Sequence, residues 1–199
     1  MDFRAKIMRR LFWKYVFLTE KYSTLIAKLK FHLWGISYGK GIRVVGKIIL
    51  FRDPKSIIQI GNYCIFNSSS RLNFRGINHP CILQTGSFGA KIVIGNHVEI
   101  SGVSIVSSNS VTIGNHVIIG ANSQIGDRDG HYGRYRTNAK PIRIMDYVWL
   151  GMNVTVLKGV TIGEHSIVGA NSLVTKDIPA NCIAGGVPCE VIKYIGNNQ

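Results

Sequence analysis

From residue 142 onward a branched or long aliphatic side chain recurs every six residues, at Ile144, Leu150, Val156, Ile162, Val168 and Val174. Two places before each stands a second small or apolar residue: Ile142, Val148, Val154, Val160, Ser166 and Ser172. The same spacing appears upstream at Ile94, Ile100 and Val106, then after a one-residue slip at Ile113, Ile119 and Ile125. A weaker trace runs through Ile60, Phe66 and Leu72, preceded by Ile58, Cys64 and Ser70. A period of six fits neither the 3.6-residue return of a helix face nor a simple alternating strand. It fits a short strand with two inward residues followed by a tight corner, repeated as the flat sides of a triangular coil. Gly95, Gly114, Gly120, Gly151, Gly163 and Gly169 each follow an aliphatic position. Corners need backbone that glycine adopts freely and asparagine tolerates. Stacked coils bury the aliphatic ladders and pair each backbone with the next, which predicts a parallel β-helix.

The period stops between Ile125 and Ile144, where GDRDGHYGRYRTNAKPIR intervenes. Solenoids carry chemistry on inserted loops, so residues 127–141 are the first place to seek it. Residues 73–91 form a second irregular stretch. The resulting boundaries are a basic, mainly helical segment over 1–38, the β-helix over 39–180 with its loop at 127–141, and a tail over 181–199.

A net charge of +14 raises the question of a nucleic-acid partner. Residues 1–43, however, hold ten of the 24 Lys and Arg against only Asp2 and Glu20. The excess is a basic appendage, not a uniformly basic surface, and nucleic acid is not expected. Cys64, Cys81, Cys182 and Cys189 show neither CxxC spacing nor a paired framework, which predicts free thiols, a reducing compartment and no metal. With no secretory leader read at the N-terminus, and with charges interrupting every apolar run there, a cytoplasmic protein is expected.

The six-residue register, together with the stretch GANSLVTKDIPANCIAGGVPCEVIK, resembles the hexapeptide-repeat acyltransferases. The resemblance is to the branch of galactoside and maltose O-acetyltransferases and of surface-polysaccharide O-acetyltransferases. It implies a left-handed β-helix with an N-terminal α-helical segment, homotrimeric assembly, and acetyl-CoA as acyl donor in a groove between neighbouring helices. It also implies a loop histidine as general base. On that resemblance Asp127, Asp129 and His131 match the catalytic D-x-D-x-H segment. Trp149 and Gly151, with Met152 after them, match the segment facing the thioester. Ala170, Thr175 and Lys176 match coenzyme-binding positions, and Pro188 and Lys193 border the nucleotide end. Two positions depart from the pattern. Met152 replaces a small residue, and Glu190 places a carboxylate where relatives often carry a basic or small one, which is expected to weaken donor binding.

A sugar hydroxyl is a weak nucleophile at neutral pH, so a base must remove its proton, and histidine has the suitable pKa. Asp127 or Asp129 would orient the imidazole. Tyr132, Arg134 and Tyr135 are candidate sugar contacts, and His79 a candidate acceptor contact. His97, His116 and His165 each fall two residues after a corner glycine and read as exposed corner residues. The expected activity is acetyl transfer to a hydroxyl of a sugar or glycan in surface-polysaccharide synthesis, with N-acetylation of an amino sugar or small xenobiotic as the alternative. Residues 1–34 read either as a cap packed on the end of the β-helix or as an amphipathic helix on an anionic membrane surface.

Overall fold

The computed structural model describes residues 3–128 and 138–196. The chain is a left-handed parallel β-helix preceded by one long helix, α1 (Phe3–Leu33). Successive short strands go in turn to three sheets, the three faces of a prism. The first face holds Ser37–Tyr38, Ile57–Ile60, Lys91–Ile94, Ser110–Ile113, Ile142–Ile144 and Thr161–Ile162. The second runs from Arg43–Gly46 to Ile167–Val168 and ends in Cys182–Gly185, on which Glu190–Tyr194 folds back antiparallel. The third runs from Ile48–Phe51 to Leu173–Val174.

The two-inward, one-outward rule holds throughout the regular coils. Ile142, Ile144, Val148, Leu150, Val154, Val156, Val160, Ile162, Ser166, Val168, Ser172 and Val174 are all buried. The buried serines keep the ladder narrow where the chain needs hydrogen bonds: Ser166 Oγ donates to Pro179 O at 2.6 Å and Ser172 Oγ to Gly169 O at 2.7 Å. All four cysteines are free and buried, and burial pushes the Cys64, Cys81 and Cys189 thiols up.

Three expectations in the irregular part of the repeat are corrected. Val106 faces outward, and the inward pair on its strand is Ile105 and Ser107. The slip falls earlier, at Gly102, whose positive φ inserts one residue directly after the strand Glu99–Ser101. Leu72 and Ser70 leave the ladder altogether, because residues 69–80 form a loop outside the prism. Finally, residues 73–91 are not one irregular stretch. Cys81–Thr85 is a strand of the third face with Cys81, Leu83 and Thr85 inward.

The histidine corners behave as expected, with an added feature. Tyr63, His97, His116, Tyr147 and His165 all take left-handed backbone, which lets successive corners superpose. Their exposed rings stack as a ladder, 4.7–5.0 Å between successive centroids. Alongside it the side-chain oxygens of Asn96, Asn115 and Asp146 each accept from the asparagine one coil back. The Asn115 backbone and side-chain amides hold the Asp146 carboxyl below the usual range, with His116 and His165 adding to the effect.

α1 caps the first coil. The free edge of Arg43–Gly46 would leave unpaired backbone groups, a liability in any sheet. Hydroxyls of α1 satisfy them: the Val44 N–H donates to Thr24 Oγ1 at 2.9 Å and the Gly46 N–H to Ser23 Oγ at 3.1 Å. Ala27 and Phe31 are buried against this end, and Arg43 grips Glu20 through two 2.8 Å hydrogen bonds. Among the described residues no helix is long and apolar enough to cross a membrane.

Candidate functional site

The second face carries an open cleft of about 750 Å³. Its floor follows from the repeat. Corner glycines Gly120 and Gly151 stack so closely that a Cβ on Gly120 would lie 2.5 Å from the Gly151 carbonyl carbon. A Cβ on Gly151 would lie 2.6 Å from the Ala170 nitrogen. Either substitution forces backbone apart, so the trough has glycine walls by necessity. Beside it stand the outward residues of the same strands, Ile118, Trp149 and Ile167, with Trp149 about half exposed. Met152 and Ala170 close one side.

The opposite lip is the loop 69–80, through Asn73, Phe74 and Arg75, with Glu99 and Asn67 below it. Asn67 Nδ2 donates to Glu99 Oε1 at 2.9 Å. The loop is held in place by Asn122, whose Oδ1 accepts from the Asn78 N–H and whose Nδ2 donates to Gly76 O. It also packs Ile77 over Gly102, where a Cβ would approach the Ile77 Cβ to 2.7 Å. One glycine thus both shifts the register and seats the lip.

Of the sequence-derived positions, Trp149, Gly151, Met152 and Ala170 meet in this cleft. Thr175 and Lys176 lie beyond the strand Leu173–Val174, on the other side of the third face from Ala170, and both are exposed. Pro188 and Lys193 are exposed on the final hairpin. Lys176 Nζ sits 2.9 Å from Glu190 Oε1, so the departure at Glu190 faces a coenzyme-matching cation directly. His79 stands apart from the cleft lining, with Nδ1 2.9 Å from Pro80 O.

Asp127 is fully buried at the base of the inserted loop. Its carboxylate accepts from Ser107 Oγ, the Ser108 N–H and the Asn109 N–H, each at 2.7 Å. Its carbonyl accepts from the Lys140 N–H at 2.9 Å, and Asn109 Nδ2 donates to Ala139 O at 3.1 Å. Both ends of the loop are therefore pinned at one corner between the third and first faces. Asp129, His131, Tyr132, Arg134 and Tyr135 lie outside the described residues.

The lip residues Asn73, Phe74, Arg75 and Glu99 were missed as site residues by sequence reasoning. The broken period at 73–91 marked the place for the first three, but nothing in the repeat singles out Glu99.

Residues 141–176 match the family model described as Bacterial transferase hexapeptide (six repeats). The chain is 45% identical over 113 residues to the polysialic acid O-acetyltransferase of Escherichia coli O1:K1 / APEC, covering 53% of this chain and 37% of that protein. The chain thus spans little more than a third of that relative. It is 38% identical over 154 residues to the galactoside O-acetyltransferase of Lactococcus lactis subsp. lactis, covering 73% of this chain and 67% of the relative. In fold it is similar to AntD, an N-acyltransferase from Bacillus cereus solved with dTDP and 3-hydroxybutyryl-CoA. That likeness has a TM-score of 0.65 at 18% identity, over 85% of this chain and 88% of AntD.

Proposed function

The chain belongs to the hexapeptide-repeat acyltransferases, and on that premise we propose that it moves an acetyl group from acetyl-CoA to a sugar hydroxyl in surface-polysaccharide assembly. The observation that carries this is the cleft itself. One wall is the Trp149–Met152 segment matched to the thioester, and the facing lip is polar and aromatic, as a sugar site needs. The relatives' O-acetyltransferase names support a hydroxyl acceptor.

In the reaction the His131 imidazole takes the hydroxyl proton as the sugar oxygen attacks the thioester carbonyl. Asp129 orients the ring, while Asp127 acts one step back by holding the loop. The backbone N–H of Met152, next after the glycine of the matched Trp149–Gly151 segment, receives the oxyanion. Collapse breaks the C–S bond, and the imidazolium returns its proton to the departing thiolate, giving an O-acetyl ester and CoA. Thr175, Lys176, Pro188 and Lys193 take the rest of the coenzyme. Asn73, Phe74, Arg75 and Glu99 contact the acceptor, joined by Tyr132, Arg134 and Tyr135 from the loop. Because the loop springs from a different corner than the cleft, a homotrimer in which one protomer's loop serves its neighbour's cleft completes the site. The setting is cytoplasmic.

Incubation with labelled acetyl-CoA and a panel of sugars tests the proposal. The expected product is an acetylated sugar whose label is released by mild alkali, as an ester is. An alkali-stable product would replace O-transfer by N-transfer, and no transfer to any sugar would overturn the reading.

Glu190 gives a second test. Glu190→Gln frees Lys176 and removes a carboxylate facing the donor's phosphates, so the KM for acetyl-CoA falls about two- to fivefold at low ionic strength. The gain shrinks as salt is added, because both side chains are exposed. A donor KM indifferent to both the substitution and salt would place the coenzyme elsewhere.

A further inference from the structure

The cap accounts for one side of α1 only. At about 100° per residue, the helix turns Ile7, Leu11, Leu18, Tyr22, Leu25 and Leu29 to the side opposite Ala27 and Phe31. These six side chains are well exposed, from 43% at Ile7 to 68% at Tyr22. They form one apolar stripe along most of a 31-residue helix with nothing packed on it among the described residues. Arg10, Lys14, Lys21 and Lys28 line one flank of the stripe, spaced by four and seven residues. α1 carries eight Lys and Arg against Glu20 alone, and Glu20 is already spent on Arg43.

Two occupants suit an apolar stripe: a second helix of the same kind or a lipid surface. The charges decide between them. Helices that pair along such a seam match acid against base on their flanks. Copies of α1 would bring basic rows together with no free carboxylate to answer them. An anionic bilayer answers every one, and takes the leucines into its headgroup boundary at the same time.

We propose that α1 docks this protein on the surface of an anionic phospholipid bilayer, apolar stripe inward and basic row among the headgroups. Docking also places the cleft. Phe12 of α1 stacks on Phe74 of the cleft lip, with ring centroids 5.7 Å apart, so the docked helix holds the lip near the membrane plane. Resting on the acyl-transfer reading, this makes the acceptor a glycan carried on a membrane lipid.

The test is flotation of the full-length protein with vesicles of phosphatidylcholine, with and without phosphatidylglycerol. The protein floats with the phosphatidylglycerol vesicles and stays down with phosphatidylcholine alone. Lys14→Gln with Lys21→Gln lowers partitioning roughly 30-fold, and Leu18→Gln with Leu25→Gln abolishes flotation, while both leave acetylation of a soluble sugar unchanged. These four side chains are exposed, so the fold tolerates the changes. Undiminished flotation of either variant, or equal flotation with both vesicle types, would overturn the proposal. So would a wild-type protein that stays down with a stripe variant that loses protomers, which would make the stripe a seam between copies. Flotation needs no catalysis, so failure of the acyl-transfer reading would leave this result standing.

Discussion

His131→Ala lowers kcat/KM for acetyl transfer by about 10²–10⁴-fold, with the KM for acetyl-CoA little changed. The size follows from the task assigned to the residue. Removing the base leaves the proposed donor and oxyanion contacts intact, because they are assigned to the segment around Gly151 and to the last coils, away from position 131 in the sequence. What is lost is proton removal in the transition state, which appears in kcat. The fold should not change, since residues 127 and 140 are tied to the body by contacts that do not involve position 131. Steady-state kinetics with varied donor and acceptor make the measurement. A variant that retains more than about a tenth of wild-type kcat would remove His131 from the base position.

The regular part of the fold was legible because every side chain in it obeys one local rule. From Ile142 to Val174 the chain needs only two inward residues and a corner, and each six-residue unit writes that requirement out again. The upstream coils were harder to read for a reason that is physical. Where a long loop leaves the prism, as at 69–80, the inward residues resume at a phase set by the loop, so Cys81 and Leu83 carry no six-residue link to Phe66. Val106 illustrates the same limit on a smaller scale. It is apolar and spaced correctly, yet the extra residue at Gly102 turns it outward and puts Ser107 inside. Ser107 is not an inferior ladder residue, since its hydroxyl is needed by Asp127.

The cleft was half legible. One wall lies in the regular repeat, where Trp149, Gly151, Met152 and Ala170 were singled out by their resemblance to the acyltransferase pattern. Its other lip comes from far upstream and reaches the wall only because Asn122 and Gly102 fasten it there. The Asn122 contacts join residues more than forty positions apart and leave no periodic trace. α1 was read with two alternatives, cap or membrane helix; the structure shows the cap, and it leaves the opposite stripe free for the docking proposed above. Ser23, Thr24, Ala27 and Phe31 meet the coil, while the opposite stripe stays bare.

Asp127→Ala is expected to cost both stability and rate, and the pattern of the two separates its role from that of His131. The carboxylate is buried and receives three donors, two of them backbone amides of the adjoining corner. Truncation leaves those donors without an acceptor, which costs about 1–3 kcal/mol and lowers the thermal midpoint by several degrees. It also frees the base of the loop that bears His131. A misplacement of about 1 Å in a catalytic group can cost on the order of 10²-fold, so kcat falls by roughly that factor while the donor KM holds. Asp127→Asn keeps the volume and one acceptor oxygen, and should recover part of both losses. The decisive measurement is the double variant with His131→Ala. If Asp127 acts only through the loop histidine, the pair is no slower than His131→Ala alone, although it remains less stable. Multiplying rate losses would instead mean that Asp127 contributes to the reaction by a path of its own, and a stable, fully active Asp127→Ala would show that the three hydrogen bonds do not hold the loop in place.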